Sequence, residues 1–255
     1  MLLAIDIGNT NIAMGVFAGK KLLKPWKVKS DREKTCDEYK ILLMELFSLG
    51  DIKASEINEI IISSVVPPLT PVFQSLSRDL FKIRAMVVGP GLKTGLSILY
   101  EHPAEVGADR IVASLAAFEK FGGPAVVVDF GTATTFDAVS GQGEYLGGAI
   151  APGIQSAAES LYLKTAKLPR IEIIKPKQAV GRTTVASMQS GLYFGYAGLV
   201  AKIIAVIKNE IGKNAKVVVT GGFASLILPE LDDIAGFEPF LVLEGLRIMH
   251  EKNRS

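Results

Sequence analysis

The chain has very little of the chemistry that soft-metal sites and covalent crosslinks require. Its 255 residues contain one cysteine, Cys36, and two histidines, His102 and His250. A single cysteine excludes an intramolecular disulfide and a thiolate metal site. Two histidines are too few for a histidine-rich zinc centre. We therefore expect neither disulfide nor zinc chemistry.

The chain also lacks a strong excess of charge of either sign. The formal net charge is +2, so charge does not indicate a nucleic-acid partner. Asp6 interrupts the first apolar run, which has no basic segment before it, so no signal peptide is expected. The most apolar later window, "SGLYFGYAGLVAKIIAVI", contains Ser190, Tyr193, Tyr196 and Lys202 and is rich in glycine. This composition favours a packed helix over a membrane span, and predicts a cytoplasmic protein without membrane or nucleic-acid partners.

What the chain does contain is a regular alternation of apolar runs and amphipathic segments. The first 89 residues predict three strands, a helix, a strand, a helix and a strand. After "GGP" the same order begins again with the strands "AVVVDFG", "TTFDAVS" and "EYLGGAI". Helical patterns follow through residue 211, and then the strand "AKVVVTGG" and a closing helix "EGLRIMHEK". This order is typical of an α/β protein.

The two halves share a motif at the end of their first strand. "AIDIGNT" and "VVDFGTA" align Asp6 with Asp129 and Gly8 with Gly131. The alignment predicts an internal duplication. We expect two similar lobes, residues 1–110 and 111–255, with a cleft between them.

The stretch "DIGNTN" has more polar groups than a simple turn requires. A glycine lets the backbone approach a phosphate, and successive N–H groups can form an anion-binding concavity. Asn9, Thr10 and Asn11 add donors. Asp6 would repel phosphate, so its expected task is to hold a cation, or the waters around one, at the phosphates. Either loop alone could be an Asx-type turn, but its repetition in both halves favours a phosphate site.

Other nucleotide and hydrolase motifs are missing. "GVFAGKK" is too short for a P-loop and lacks its Ser or Thr, and "GQGEYLG" is not the dinucleotide-binding fingerprint. There is no G-x-S-x-G motif. "TGGFA" after the strand "KVVVT" is compatible with a nucleotide lying on bare backbone, and equally with an ordinary turn.

The segment "GADRIVASLAAF" predicts a helix from about Ala108. Asp109 then lies in its first turn, where the helix dipole stabilises a carboxylate, and the pattern alone favours this structural role. Arg110 is adjacent and does not face Asp109 on a helix, so it can bind a substrate carboxylate in a bidentate manner.

Together these motifs resemble one family. "DIGNTNIAMGVF", "ISSVVP", "GLKTGL", "GADRIVASLAA", "VVVDFGTATTFD", "GGAIAPG" and "TGGFA" are similar to motifs of the type III pantothenate kinases, in the same order. This family is a branch of the acetate kinase, sugar kinase, Hsp70 and actin superfamily. The resemblance implies duplicated ribonuclease H-like (actin-like ATPase) lobes, each a mixed sheet with flanking helices.

The resemblance also implies a set of site residues. Asp109 matches the catalytic base, and the ATP-binding residues would be Asp6, Ile7, Gly8, Asn9, Thr10, Asn11, Ile12, Ala13 and Thr132. The implied pantothenate contacts are Tyr100, Gly107, Ala108, Asp109, Arg110 and Thr184. Asp6 would organise Mg²⁺ or a similar divalent cation, and Asp129 would bind K⁺ or NH₄⁺.

Thr184 has two interpretations. The resemblance places it near a homodimer interface, whereas local sequence favours an N-cap for a helix from Val185 to Ile211. Gly191, Gly195 and Gly198 would allow a second helix to approach closely.

The implied activity is ATP-dependent phosphorylation of pantothenate to 4'-phosphopantothenate, the first step of coenzyme A biosynthesis. Another small-molecule kinase of the superfamily is an alternative, because the phosphate motifs do not specify the acceptor. A non-catalytic regulatory relative is a second alternative. It predicts loss of a key acid, yet Asp6, Asp109 and Asp129 are all present.

Overall fold

The computed structural model describes residues 1–254, which form two compact units. The first unit comprises Met1–Ser97, Glu101–Ala116 and residues 240–254. The second comprises Ile98–Tyr100 and Ala117–Pro239. These units differ from a division after residue 110 in three places, one of which is that Ile98–Tyr100 group with the second unit. The helix that contains residue 110 groups with the first unit as far as Ala116, and the closing helix does so as well.

The first unit is built on a five-stranded mixed sheet. Its strands are β1 (Leu2–Ile7), β2 (Asn11–Ala18), β3 (Lys21–Lys29), β4 (Glu59–Ser64) and β5 (Met86–Val87). Their order is β3-β2-β1-β4-β5, with β1 antiparallel to β2 and parallel to β4. The helices that group with this unit are α1 (Cys36–Leu49), α2 (Thr70–Phe81), most of α3 (Ala108–Phe121) and α7 (Leu241–Asn253).

The second unit is built on a six-stranded mixed sheet. Its strands are β6 (Ser97–Ile98), β7 (Ala125–Phe130), β8 (Ala133–Val139), β9 (Glu144–Pro152), β10 (Lys216–Gly221) and β11 (Ile234–Phe237). The order is β11-β10-β7-β8-β9-β6, with β7 antiparallel to β8 and parallel to β10. Its helices are α4 (Ile154–Lys164), α5 (Thr184–Ile211) and the short α6 (Ala224–Ile227).

The strand order confirms the predicted duplication. Read from β9 to β11, the second sheet repeats the order of the first, with β7 in the place of β1 and β10 in the place of β4. Asp6 lies opposite Ser63 on the parallel neighbour, and Asp129 lies opposite Thr220 in the same way. The two acids are therefore equivalent positions of a repeated unit.

The apolar sequences of β1 and β7 follow from their central positions. Each has neighbours on both sides and is covered on both faces, so its residues form a nearly continuous apolar run. On β1, Leu3, Ile5 and Ile7 belong to the main core of the first unit, while α7 packs against β1 and β4. A methyl group at Gly245 of α7 would clash with the Val112 carbonyl, so this glycine permits the close approach of α7 and α3.

Helix α5 packs into the second unit through one face. Tyr193, Val200 and Ile204 are buried in its core. By length and composition α5 could also cross a membrane, and 39% of its most apolar window is buried within this chain. The irregular segment that precedes α5 is tied to it, since Ser190 Oγ donates to the Ala179 carbonyl at 2.5 Å. Lys175 and Tyr193 share Glu230 Oε1, at 2.6 and 2.9 Å.

Candidate active site

The turn after β1 is tight and presents a polar tip. The Gly8 N–H donates to the Asn11 carbonyl at 3.0 Å. A Cβ at residue 8 would lie 2.9 Å from that oxygen, which is why glycine is needed there. Asn9 and Thr10 at the tip are exposed. The turn thus exposes polar side chains at its tip, where a phosphate loop would meet its ligand.

The apolar residues within the segment 6–13 have a structural role. Ile7 and Ile12 are fully buried and pair across β1 and β2. Their side chains anchor the loop in the core, so only their backbone groups could contact a bound nucleotide.

Asp6 is oriented by the neighbouring strand. Parallel pairing of β1 with β4 places Ser63 beside it, and the Ser63 hydroxyl donates to Asp6 Oδ1 at 2.7 Å. Ser63 is fully buried, so this bond is shielded from water. The described residues include no group of three or more His, Cys, Asp or Glu side chains that could hold a metal. A divalent ion at Asp6 would therefore need ligands from water and phosphate, which suits Mg²⁺.

Asp109 lies in the same unit as Asp6, in the first turn of α3 as predicted. The Val65 N–H donates to the carbonyl of Ile7, next to Asp6, at 3.0 Å. A Cβ at Gly107 would lie 3.6 Å from Val65 Cγ1 and would clash with Asp109 Oδ1. Gly107 thus gives the Asp109 carboxylate its room. These contacts place Asp109 close to the end of β1.

Burial raises the pKa of the Asp109 carboxyl, since removal from water disfavours the charged form. The Arg110 backbone N–H, which donates to Asp109 Oδ1 at 2.8 Å, opposes this effect, and so does the positive charge of Arg110. The net result is a raised pKa. Arg110 itself is only 9% exposed, which places a guanidinium in a largely dry environment beside the acid.

In the second unit, Asp129 is the penultimate residue of β7 and lies next to two glycines. A Cβ at Gly221 would lie 2.5 Å from Asp129 Oδ1, and one at Gly131 would lie 3.7 Å from it. A Cβ at Gly221 would also lie 2.4 Å from the Phe130 backbone nitrogen, so this glycine permits the close approach of the end of β10 to Asp129 and Phe130. Gly221 has φ +97°, which disfavours any other residue there.

Thr132 belongs to the turn that follows Asp129. Its carbonyl accepts hydrogen bonds from Ser156 Oγ at 2.8 Å and from the Gly153 N–H at 3.1 Å. The turn is therefore joined to the start of α4. Behind it, the Tyr196 and Thr134 hydroxyls are hydrogen-bonded to each other, and burial, with a smaller contribution from Asp129, raises the pKa of Tyr196.

Tyr100 is supported by a buried acid that the sequence analysis overlooked. Its ring lies 6.3 Å from that of Tyr145, measured between centroids. The Tyr145 hydroxyl donates to Asp137 Oδ1 at 2.7 Å, and Asp137 is 1% exposed. A Cβ at Gly147 would lie 3.3 Å from the Tyr100 ring, so the glycine makes room for it.

The N-cap prediction for Thr184 was wrong. Thr183 is the N-cap, with its Oγ1 accepting from the Ala186 N–H at 3.1 Å, and Thr184 is the first residue of α5. Two adjacent threonines are equally good caps, so the pattern could not separate them. Thr184 is exposed, and its side chain is not used as the cap.

The structure thus divides the predicted site residues between the units. Those in the first unit are residues 6–13, Gly107, Ala108, Asp109 and Arg110. Those in the second unit are Tyr100, Asp129, Thr132 and Thr184. Sequence reasoning missed Ser63 and Asp137. Their signals were a hydroxyl at the end of a buried strand and a carboxylate inside the apolar run "TTFDAVS".

Solved structures define the fold class. The chain is similar to a conserved putative Baf family transcriptional activator from Campylobacter jejuni, with TM-score 0.60, 19% identity and 98% of each chain covered. It is also similar to a putative N-acetylglucosamine kinase from Porphyromonas gingivalis, with TM-score 0.51, 14% identity and 99% of each chain covered. At these identities the likeness concerns the fold, which is that of the actin-like ATPases and sugar kinases.

Sequence comparison is more specific. The family model described as type III pantothenate kinase matches residues 2–206. A type III pantothenate kinase of Geobacter sp. (strain M21) is 53% identical over 254 residues, covering 100% of both chains. One of Moorella thermoacetica is 52% identical over 253 residues, covering 99% of this chain and 100% of its own. The chain belongs to the type III pantothenate kinase family.

The raised pKa of Asp109 predicts a pH-dependent stability cost. A carboxyl whose folded pKa exceeds its unfolded value stabilises the fold below the unfolded pKa, and this contribution is lost as pH rises through the folded pKa. Asp109→Asn should therefore raise the melting temperature by a few degrees at pH 8. The gain should shrink as the pH falls below the ordinary range of aspartate, because the carboxyl is then protonated in the folded and the unfolded state alike. Thermal unfolding across this range is the measurement, and a loss of stability at pH 8 would contradict it.

Proposed function

We propose that this chain is a cytoplasmic kinase that transfers the γ-phosphoryl group of ATP to the hydroxyl of pantothenate. The product is 4'-phosphopantothenate, formed in the first step of coenzyme A biosynthesis. The observation that carries the proposal is the placement of Asp109, a carboxylate of raised pKa, near the end of β1. The end of β1 leads into the phosphate-type turn, and the chain belongs to the pantothenate kinase family.

In the proposed reaction the turn after β1 binds the ATP phosphates. Phosphoryl transfer through a loose transition state depends on positioning and charge neutralisation. The turn supplies backbone N–H groups together with Asn9, Thr10 and Asn11. Mg²⁺ bound to ATP would neutralise phosphate charge, and Asp6, oriented by Ser63, would hold it directly or through water.

Asp109 acts as the general base. It accepts the proton of the pantothenate hydroxyl as the oxygen attacks the γ-phosphorus. Burial raises the pKa of Asp109, so its carboxylate is a stronger base than an exposed aspartate. The Asp109–Arg110 peptide N–H donates to the same carboxylate and fixes its direction.

Residues that resemble the family's substrate contacts bind the rest of pantothenate. Arg110 binds its carboxylate, since a guanidinium in a largely buried position forms strong charge-assisted hydrogen bonds. The other proposed contacts are Tyr100, Gly107, Ala108 and Thr184. Tyr100 would be held in position by Tyr145, which is fixed in turn by Asp137.

An ADP-release assay tests the activity. Wild type should release ADP only with pantothenate, and ³¹P NMR should show a phosphomonoester product. Asp109→Asn, which keeps the size and the hydrogen-bond acceptor of the side chain, should lower kcat by about 10²-fold or more. Asp137 does not contact the reacting hydroxyl in this scheme, so Asp137→Asn should change KM for pantothenate more than kcat. Turnover with sugars or acetate but not with pantothenate would contradict the proposal.

Asp129, which occupies in the second sheet the position that Asp6 occupies in the first, is proposed to hold a monovalent cation, K⁺ or NH₄⁺. Replacing KCl by NaCl at constant ionic strength should lower the wild-type activity. Asp129→Asn should remove the difference between the two salts, because the cation would no longer be bound. Undiminished K⁺ stimulation in this variant would place the cation elsewhere.

We also propose that the chain is a homodimer that associates through the outer face of α5. Leu199 and Val206 on this face are 36% and 42% exposed, and nothing lies within 4 Å of a Cβ built at Gly195. These positions lie on one stripe of the helix, at spacings of four and seven residues. Exposed apolar side chains beside a small residue favour close packing of a second helix.

Sedimentation velocity tests the assembly. Wild type should sediment with twice the mass of the chain, and Leu199→Glu should shift it to the monomer because a charge would be buried in the interface. Leu49→Glu is the matched control, since Leu49 is 81% exposed at the end of α1 in the first unit. A monomeric wild type, or a dimeric Leu199→Glu variant, would refute this assembly.

A further inference from the structure

The segment between β3 and α1 lies against the phosphate-type turn. The Ser30 N–H donates to the Thr10 carbonyl at 2.9 Å, and Ser30 Oγ donates to the Gly8 carbonyl at 2.5 Å. Two bonds to the same turn fix the start of this segment, residues 30–35, beside the tip. It is not among the residues that the family resemblance implicates.

Hydrogen bonds and packing also fix the rest of this segment. The Tyr39 hydroxyl donates to the Asp31 carbonyl at 2.9 Å and accepts from the Asp31 N–H at 3.0 Å. Tyr39 is 2% exposed and packs on Phe73. At the other end, Thr35 and Glu38 form a capping box that starts α1. Although the segment is largely exposed, hydrogen bonds therefore fix its backbone at both ends.

Arg32 belongs to this segment and lies at the tip of the turn. Its Nη2 donates to Asn9 Oδ1 at 3.0 Å. Both side chains are exposed, so a guanidinium stands in solvent directly beside the turn. One hydrogen bond to Asn9 leaves further N–H donors of the guanidinium for another acceptor.

The charge of the turn shows what such a guanidinium could do. Residues 7–13, "IGNTNIA", carry no charged side chain, and Asp6 is an acid. ATP brings about four negative charges when fully ionised, and Mg²⁺ balances about two of them. A guanidinium matches the geometry of phosphate oxygens and can bind them in a bidentate manner.

We propose that Arg32 is a phosphate-binding residue that contacts the polyphosphate of ATP from the edge of the turn. This inference rests on the proposed function, in which the turn holds the ATP phosphates. Asn9 orients the guanidinium, and Ser30 and Tyr39 fix the backbone from which it extends.

The test compares Arg32→Gln with Arg32→Lys and with a control. Arg32→Gln should raise KM for ATP about tenfold, the scale of one charge-assisted hydrogen bond, and leave KM for pantothenate unchanged. Arg32→Lys keeps the positive charge and loses the bidentate geometry of the guanidinium, so its KM for ATP should lie between those of wild type and Arg32→Gln. The matched control is Arg78→Gln: Arg78 is exposed in the same unit, and its Nη2 donates to Ser75 Oγ at the same 3.0 Å. This control should retain the wild-type KM for ATP.

Two further readouts separate phosphate contact from a structural role. Inhibition by ADP should weaken about tenfold in Arg32→Gln, on the same basis, while inhibition by adenosine stays constant. KM for ATP should also rise less steeply with salt in Arg32→Gln than in wild type. If inhibition by adenosine and by ADP weakened equally, or if KM for ATP were unchanged, the proposal would be overturned.

Calorimetric titration with Mg-ATP keeps this inference distinct from the proposed acceptor. If wild type did not phosphorylate pantothenate, a weaker Mg-ATP affinity in Arg32→Gln than in Arg78→Gln would still support Arg32 as a phosphate contact. Equal affinities in the two variants would refute it, whatever the acceptor.

Discussion

The hydrogen bond from Ser63 to Asp6 is the interaction on which the candidate site depends. It exists because β1 and β4 pair in parallel with Asp6 opposite Ser63. A one-residue slip of this register would turn Ser63 to the other face and leave the carboxylate without its donor. The apolar residues of both strands oppose such a slip, since they would leave the core. The core therefore determines the direction of the Asp6 carboxylate in the candidate site.

Duplication explains why a second acid occupies the same structural position. Asp129 lies opposite Thr220 as Asp6 lies opposite Ser63, again with a hydroxyl on the parallel neighbour. The repeats have diverged at the turn that follows. The first turn keeps exposed Asn and Thr side chains, whereas the second is joined to α4 through Thr132. One architecture thus supplies two carboxylates with different surroundings, consistent with different proposed cations.

Much of this fold could be predicted from sequence because its signals are local. Apolar runs ending in Asp-x-Gly identified β1 and β7, and helical periodicity correctly began α3 at Ala108. Long-range relations could not be predicted from such signals. Nothing local indicates that Ser63 reaches Asp6, that Arg32 reaches Asn9, or that α7 groups with the first unit. The N-cap at Thr183 was missed for another reason: Thr184 beside it has the same side chain and caps a helix equally well.

The most direct measurement is a crystal structure with Mn²⁺ and a non-hydrolysable ATP analogue, using anomalous scattering to locate the metal. The account predicts phosphates on residues 8–11 and Mn²⁺ bound to the Asp6 carboxylate or about 4 Å from it, through one water. A metal–nucleotide complex seated away from residues 6–13 would contradict the account.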